Sequence, residues 1–255
     1  MTNFFNYDRF NYPMVRVFYL FDIQHLGMLM ILLWIIIAAT FYYKSLDQEN
    51  RIKMRKVMAL SMVSVHIIRQ ISFVTLQNMA PISMFNINMC PLMIWTSLFH
   101  AFKPSKLTAN LMYGIGIPSF TLALLFPDWV MLPFFNFYGL EQWLMHGALL
   151  TYIIMQISAK DYRPEMKYVP RISLIVISCI PIIYTINHFL GTNFWFMSAG
   201  SDGSPLDILI SIFGTPWFII PYVIIFASIV TVLYLPWQRN TKEKTVLETN
   251  KMIVD

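Results

Sequence analysis

Long apolar runs, broken at intervals by short polar stretches, dominate the chain. A helix needs about 20 apolar residues to cross a hydrocarbon core of about 30 Å. Seven stretches come close, at about 25–43, 56–76, 88–102, 107–126, 140–158, 170–190 and 211–236. The pattern predicts an all-α polytopic membrane protein with seven transmembrane helices. The third stretch is short, because Met89 to Phe102 is only 14 residues. The segment before it carries Pro81, Asn86 and Asn88. It then lies outside the membrane or lines a protein cavity, where irregular backbone is tolerated at depth.

Composition points the same way, with 57% hydrophobic against 12% charged residues; soluble domains carry about 25% charged. No P-loop, paired CxxC or Gly-rich phosphate loop occurs, so no metal, cofactor or nucleic-acid partner is expected. Oligomeric state is not legible. The net charge of +5 serves as a topology signal instead. Lys44, Arg51, Lys53, Arg55 and Lys56 fill the first loop, and Lys103 and Lys106 the third. Lys160, Arg163, Lys167 and Arg171 mark the fifth, and Arg239, Lys242, Lys244 and Lys251 the tail. The second, fourth and sixth loops hold no Lys or Arg. The positive-inside rule puts the N-terminus outside and the C-terminus in the cytoplasm. Residues 1–24, rich in Phe and Tyr with Arg9 and Arg16, are expected to lie at the outer interface as aromatic anchors. Residues 25–237 form the transmembrane domain, and 238–255 a polar cytoplasmic tail.

With topology assigned, most polar residues share one depth. Asp22, Gln24 and His25 open the first helix from outside, while His66, Arg69 and Gln70 share an outer face of the second. Asn86, Asn88 and Cys90 begin the third, and Glu141, Gln142 and His146 the fifth. Tyr184, Asn187 and His188 end the sixth outward, and Asp207 opens the seventh. The inner halves are expected to be nearly bare, with His100 an interfacial exception. Each residue also has a plain structural reading. Arg69 can snorkel, and His66 can be a packed interhelical histidine. Ser204-Pro205-Leu206-Asp207 reads as a capping box with Pro first in the helix. What those readings leave unexplained is the common depth, which points to a cavity. Intramembrane ionisable groups are functional by default.

Pro91 suits the first helical position, which makes Cys90 the cap residue at the positive end of a helix dipole. Cys90 is either a small apolar residue near a bend or a nucleophile. Cys179 lies mid-membrane in an apolar run and reads as packing. The two differ in depth by about 15 Å, too far for a disulfide.

Three signatures carry a family resemblance. Asn193-Phe194-Trp195-Phe196 leads to Gly200-x-x-x-Ser204-Pro205-Leu206-Asp207 and then Phe213-Gly214-Thr215-Pro216-Trp217-Phe218. Asn86-Ile87-Asn88-Met89-Cys90 and Gln142-Trp143-Leu144-Met145-His146 are the other two. Together they resemble the transmembrane protein 164 family, which includes the bacterial YwaF-like membrane proteins. The resemblance implies seven helices and, for animal members, phospholipid acyl transfer through a cysteine and a histidine. By position these fall on Cys90 and His146. The implied setting is a bacterial plasma membrane.

The leading expectation is an acyltransferase or transacylase working on a lipid at the outer leaflet. Cys90 takes the acyl group as a thioester, and His146 acts as general base and then acid. Glu141 or Gln142 orients His146, and Asn88, Asn187 or His188 supplies oxyanion donors. Arg69, His66, Gln70, Asn193 and Asp207 bind substrate, with Arg69 as a bidentate phosphate clamp. A transporter using the same cavity predicts polar residues that continue to the inner side. A non-catalytic partner subunit predicts tolerance of Cys90→Ser.

Loop charge makes the first testable statement. Reporter tags at residues 47, 104 and 165 should read cytoplasmic, and tags at 80, 130 and 200 external. A cytoplasmic signal at 130 would overturn the orientation.

Overall fold

The computed structural model describes residues 4–7, 19–129, 132, 135–200 and 204–254, with side chains except those of Ser83 and residues 239–254. Arg9, Phe10, Tyr12, Arg16 and Phe18 of the expected interfacial segment lie outside the described residues, as do the side chains of the basic tail. Helices α1 (Ile23–Ser45), α2 (Gln48–Thr75), α3 (Met89–Phe102), α4 (Lys106–Leu111) and α5 (Ile117–Leu125) come first. Then follow α6 (Phe137–Ser158), α7 (Val169–Leu190), α8 (Pro205–Phe213) and α9 (Ile219–Val254). No strand occurs among the described residues.

Five segments are long and apolar enough to cross a membrane: Ile23–Ser45, Gln48–Thr75, Lys106–Leu125, Met166–Leu190 and Ile219–Gln238. Among the described residues these account, by length and composition, for five of the seven expected spans. α3 is too short at 14 residues, and α6 is made less apolar by Glu141, Gln142 and His146.

Two expected spans are irregular, each for a local reason. Between α4 and α5, Met112–Gly116 winds as a π-helix through Met-Tyr-Gly-Ile-Gly. The last expected span, 211–236, is broken. Gly214, at φ 68°, ends α8 in a conformation L-residues rarely adopt, and α9 resumes at Ile219. The expected capping box also fails. Ser204 precedes α8, but its side chain makes no cap hydrogen bond and its hydroxyl is buried without a partner.

Helix α6 is the centre of the bundle. It buries 14 of its 22 residues and packs against α1, α2, α3 and α5. Lipid tails are as apolar as leucine, so helices in a membrane associate through close packing rather than water exclusion. Gly147 supplies that closeness, since a Cβ there would stand 2.7 Å from Leu32 Cδ2 on α1. α1 itself buries only His25, Leu32 and Tyr43 and turns Met30, Trp34 and Phe41 outward. The described N-terminal residues close the far end of α2 and α6. Phe137 N–H donates to Phe4 O at 2.8 Å, and Tyr7 packs edge-on to Phe73 and Tyr138.

Polar residues form two layers with an apolar one between. Arg55 and His66 on α2, Cys90 and His100 on α3, and His146 and Gln156 on α6 mark the two levels. Between them lie buried Ala59, Met62 and Val63, then Met93 and Ile94, then Leu149, Leu150 and Ile153. Ten to eleven residues of helix amount to about 15 Å. The hydroxyls inside this slab bond to nearby carbonyls: Ser97 to Ile94 O, Thr151 to Gly147 O and Tyr152 to Ser97 O.

The α1–α6 contact yields a compensation test. Gly147→Leu overpacks the contact and should destabilise by about 1–3 kcal/mol. Adding Leu32→Ala should return most of that loss, measured by thermal unfolding in detergent.

Candidate functional site

His146 sits on the α6 face turned into the bundle. Its Nδ1 lies 2.7 Å from the backbone carbonyl of Gln142, one turn earlier. A carbonyl only accepts, so Nδ1 carries the proton and Nε2 presents its lone pair. The backbone of Gln142, not its side-chain amide or Glu141, thus sets the tautomer. Aromatic rings hold the imidazole in place. Trp129 stacks on it with centroids 5.3 Å apart, and Phe120 meets it edge-on at 6.1 Å.

Cys90 is a free thiol in the first turn of α3. Asn88, not Cys90, is the N-cap, so Cys90 is the second helical residue and Pro91 the third. Proline remains tolerable there because first-turn amides have no partner inside the helix. Asn88 makes no cap bond with its side chain, since its Oδ1 accepts from Trp195 N–H at 2.8 Å. Asp128, in the α5–α6 loop, is close enough to act electrostatically on both Cys90 and His146. Glu141 and the Tyr222 hydroxyl of α9 also lie within that range of Cys90. The site therefore draws on α3, α6, α9 and the α5–α6 loop.

Asp128, Trp129 and Tyr222 were not among the sequence-derived candidates. The signal for the first two was present. Asp128 is the sole acid in a loop without Lys or Arg. Trp129 is 3% exposed, and its indole N–H is buried without a partner. An orphan donor at that depth is costly.

Arg69 points into the bundle rather than snorkelling. Its Nε stands 3.0 Å from Glu141 Oε2, an ion pair whose alignment falls short of a hydrogen bond. Its Nη1 donates to Gln70 Oε1 at 3.0 Å, and the guanidinium lies over Phe73 at 4.6 Å. Gln70 in turn donates to Met84 O. An expected phosphate clamp that used Nε would have to displace Glu141. His66 is buried one turn away.

Other expected site residues lie in or beside the loop after α7 and the start of α8. Asn187 Oδ1 accepts from Thr192 Oγ1 and Phe194 N–H, and its Nδ2 donates to Phe194 O. Those bonds tie down the turn after α7 and leave little for an oxyanion. Asn193 Oδ1 accepts from Ser198 and Ala199 N–H in the same loop. His188 is exposed and packs edge-on to Phe189. Asp207 is half-buried in the first turn of α8.

The expectation of bare inner halves is overturned. Arg55, His100 and Gln156 are buried at the basic end, where Arg55 Nη1 donates to Gln156 Oε1 at 3.4 Å. Asp161 accepts from the Tyr43 hydroxyl and pairs with Arg51 at 3.2 Å. The cause is helix length. α2 begins at Gln48, so Arg51 and Arg55 stand on a helix face rather than in a loop.

The buried ion pair gives a double-mutant test. Arg69→Met leaves Glu141 charged and unpaired and should cost about 3–5 kcal/mol. Adding Glu141→Leu should recover most of it, read as unfolding midpoints in detergent.

No curated protein and no solved structure matches the chain. The model of the TMEM164 family matches residues 20–235. That span takes in all the residues assembled above and most of the chain, so the protein belongs to the TMEM164 family, a family of membrane proteins with several apolar helices.

Proposed function

We propose that the protein moves an acyl chain between lipids, using Cys90 as nucleophile and His146 as general base. The observation that carries this reading is the state of His146. Its proton is held at Nδ1 by a carbonyl, its ring is clamped by Trp129 and Phe120, and Nε2 is left basic. Cys90 lies within the reach of the same Asp128 carboxylate.

In the first step the sulfur attacks the ester carbonyl carbon of an acyl donor while the thiol proton passes to His146 Nε2. The tetrahedral intermediate then breaks its C–O bond. The departing alkoxide takes the proton from Nε2, leaving a thioester on Cys90. An acceptor hydroxyl reverses the sequence, giving its proton to Nε2, which returns it to the departing sulfur. With carboxylates near Cys90, proton transfer during attack fits better than a standing thiolate. The uncapped amides of Met89 and Cys90, together with the orphan Trp129 N–H, are candidate donors to the developing oxyanion. Arg69 and Glu141 act by bracing α2 against α6.

The working face is the outer leaflet of a bacterial plasma membrane. Support comes from the Lys/Arg-free loops at the Cys90 end and from the YwaF-like resemblance. A transporter reading gains from the polar residues at the basic end. It loses to the apolar slab of about 15 Å between the two polar layers.

Purified protein given a phospholipid donor should carry a thioester on Cys90 by mass spectrometry, and Cys179→Ala should leave it unchanged. His146→Ala should slow its formation by about 10²–10⁴-fold. Cys90→Ala and Cys90→Ser should abolish transfer. Full transfer without Cys90 would remove the chemistry and leave a non-catalytic membrane component.

A further inference from the structure

The start of α3 is held by a strap from a distant part of the chain. Residues 191–199 follow α7, and Asn187 in the last turn of that helix grips Phe194 twice. It accepts from the Phe194 N–H and donates to the Phe194 carbonyl. Trp195, the next residue, is buried and reaches across to α3. Its indole N–H donates to Ile87 O at 2.9 Å, and its backbone N–H to Asn88 Oδ1 at 2.8 Å. Trp195 and Phe196 adopt φ 59° and 54°, a left-handed conformation that bulky residues rarely take. Such strain persists only where the surroundings hold it, and it gathers at functional segments.

What the strap takes from α3 is its cap. An Asn at the N-cap ordinarily accepts from the N–H of the second or third helical residue. In α3 those residues are Cys90 and Pro91, and proline has no N–H. The Asn88 side chain therefore has one capping target in its own helix, the amide of Cys90. It makes no such bond. Its Oδ1 is turned to Trp195 instead, and its Nδ2 donates to Asn86 Oδ1 at 3.0 Å.

The amide left open belongs to the nucleophile of the acyl transfer proposed above, and the inference rests on that reading. Side chains of a helix tilt toward its N-terminus, so Cys90 Sγ and Cys90 N–H stand at the same end of α3. When the sulfur adds to an ester carbonyl carbon, the π electron pair of the C=O bond moves onto oxygen. It returns as the C–O bond to the departing alkoxide breaks. A donor fixed beside the sulfur meets that charge without having to reorient.

We propose that Trp195 is a positioning residue for acyl transfer: by drawing off the Asn88 side chain, it keeps the Cys90 N–H open for the oxyanion. An ordinary cap on that amide would make α3 a better helix and a slower acyl acceptor.

The test restores the ordinary cap. In Asn88→Ser the shorter hydroxyl bonds its own first turn. With the full chain in detergent and a phospholipid donor, acylation of Cys90 should slow by about 10²–10³-fold. The loss should fall on kcat with KM unchanged, as for a contact made only in the transition state. Alkylation of Cys90 by iodoacetamide builds no oxyanion, so its rate should stay that of the unaltered protein. Trp195→Phe is the second variant, in case the first disturbs the fold. It keeps the ring and the backbone donor, loses only the bond to Ile87, and should slow acylation less but with the same selectivity. Acylation at the unaltered rate in Asn88→Ser, or acylation and alkylation slowed alike in both variants, overturns the inference and leaves acyl transfer standing. No thioester on the unaltered protein overturns both.

Discussion

The Arg69–Glu141 pair is the constraint on which the candidate active site rests. It bridges α2 and α6 at 3.0 Å where both side chains are almost fully buried. Neither charge has water to fall back on, so each holds the other's helix in rotation and depth. Glu141 lies on the same inward stretch of α6 as His146, five residues before it. Rotating α6 to release the pair would also swing the imidazole out of its contact with Trp129. The bridge therefore sets which way Nε2 looks, although it touches neither sulfur nor imidazole.

The other polar contacts divide by height in the bundle. At one end, His146, Cys90, Asp128 and Trp129 are drawn from helices that meet around α6. At the other, Asp161 gathers Tyr43, Arg51 and Arg55 from the α1–α2 corner. Each end satisfies its charges locally, as a medium without water requires. The middle needs no such arrangement, because it is built from Ala, Met, Val, Leu and Ile. Close contact there depends on small residues such as Gly147, which admits Leu32 against the α6 backbone.

Hydropathy alone was enough to find helices over each apolar run, since a spanning segment has no alternative to helix. It could not fix their number as membrane spans, because α3 is short and α6 carries its polar residues inward. Cys90 and His146 were legible as unusual polar residues beside helix starts. Their neighbours were less so. Asp128 sits alone in an otherwise uncharged loop, and Trp129 is one among many aromatic rings. Arg51 and Arg55 read as loop residues because charged residues near a helix end look alike whether they face water or the bundle. The break after α8 was available in Gly214-Thr215-Pro216, where a Gly and a Pro close together interrupt an apolar run. For Asn88, Asn187 and Asn193 sequence does not separate two roles, because amides that organise a loop and amides that bind a ligand have the same composition.

The apolar slab also bears on bioenergetics. Histidines and carboxylates near both faces are the parts from which proton relays are made, and a chain of water joining them would short-circuit a membrane that stores energy as a proton gradient. About 15 Å of close-packed aliphatic side chains, with its few hydroxyls bonded to nearby carbonyls, offers water no foothold. A bundle built this way keeps titratable groups at both of its ends without joining them through water.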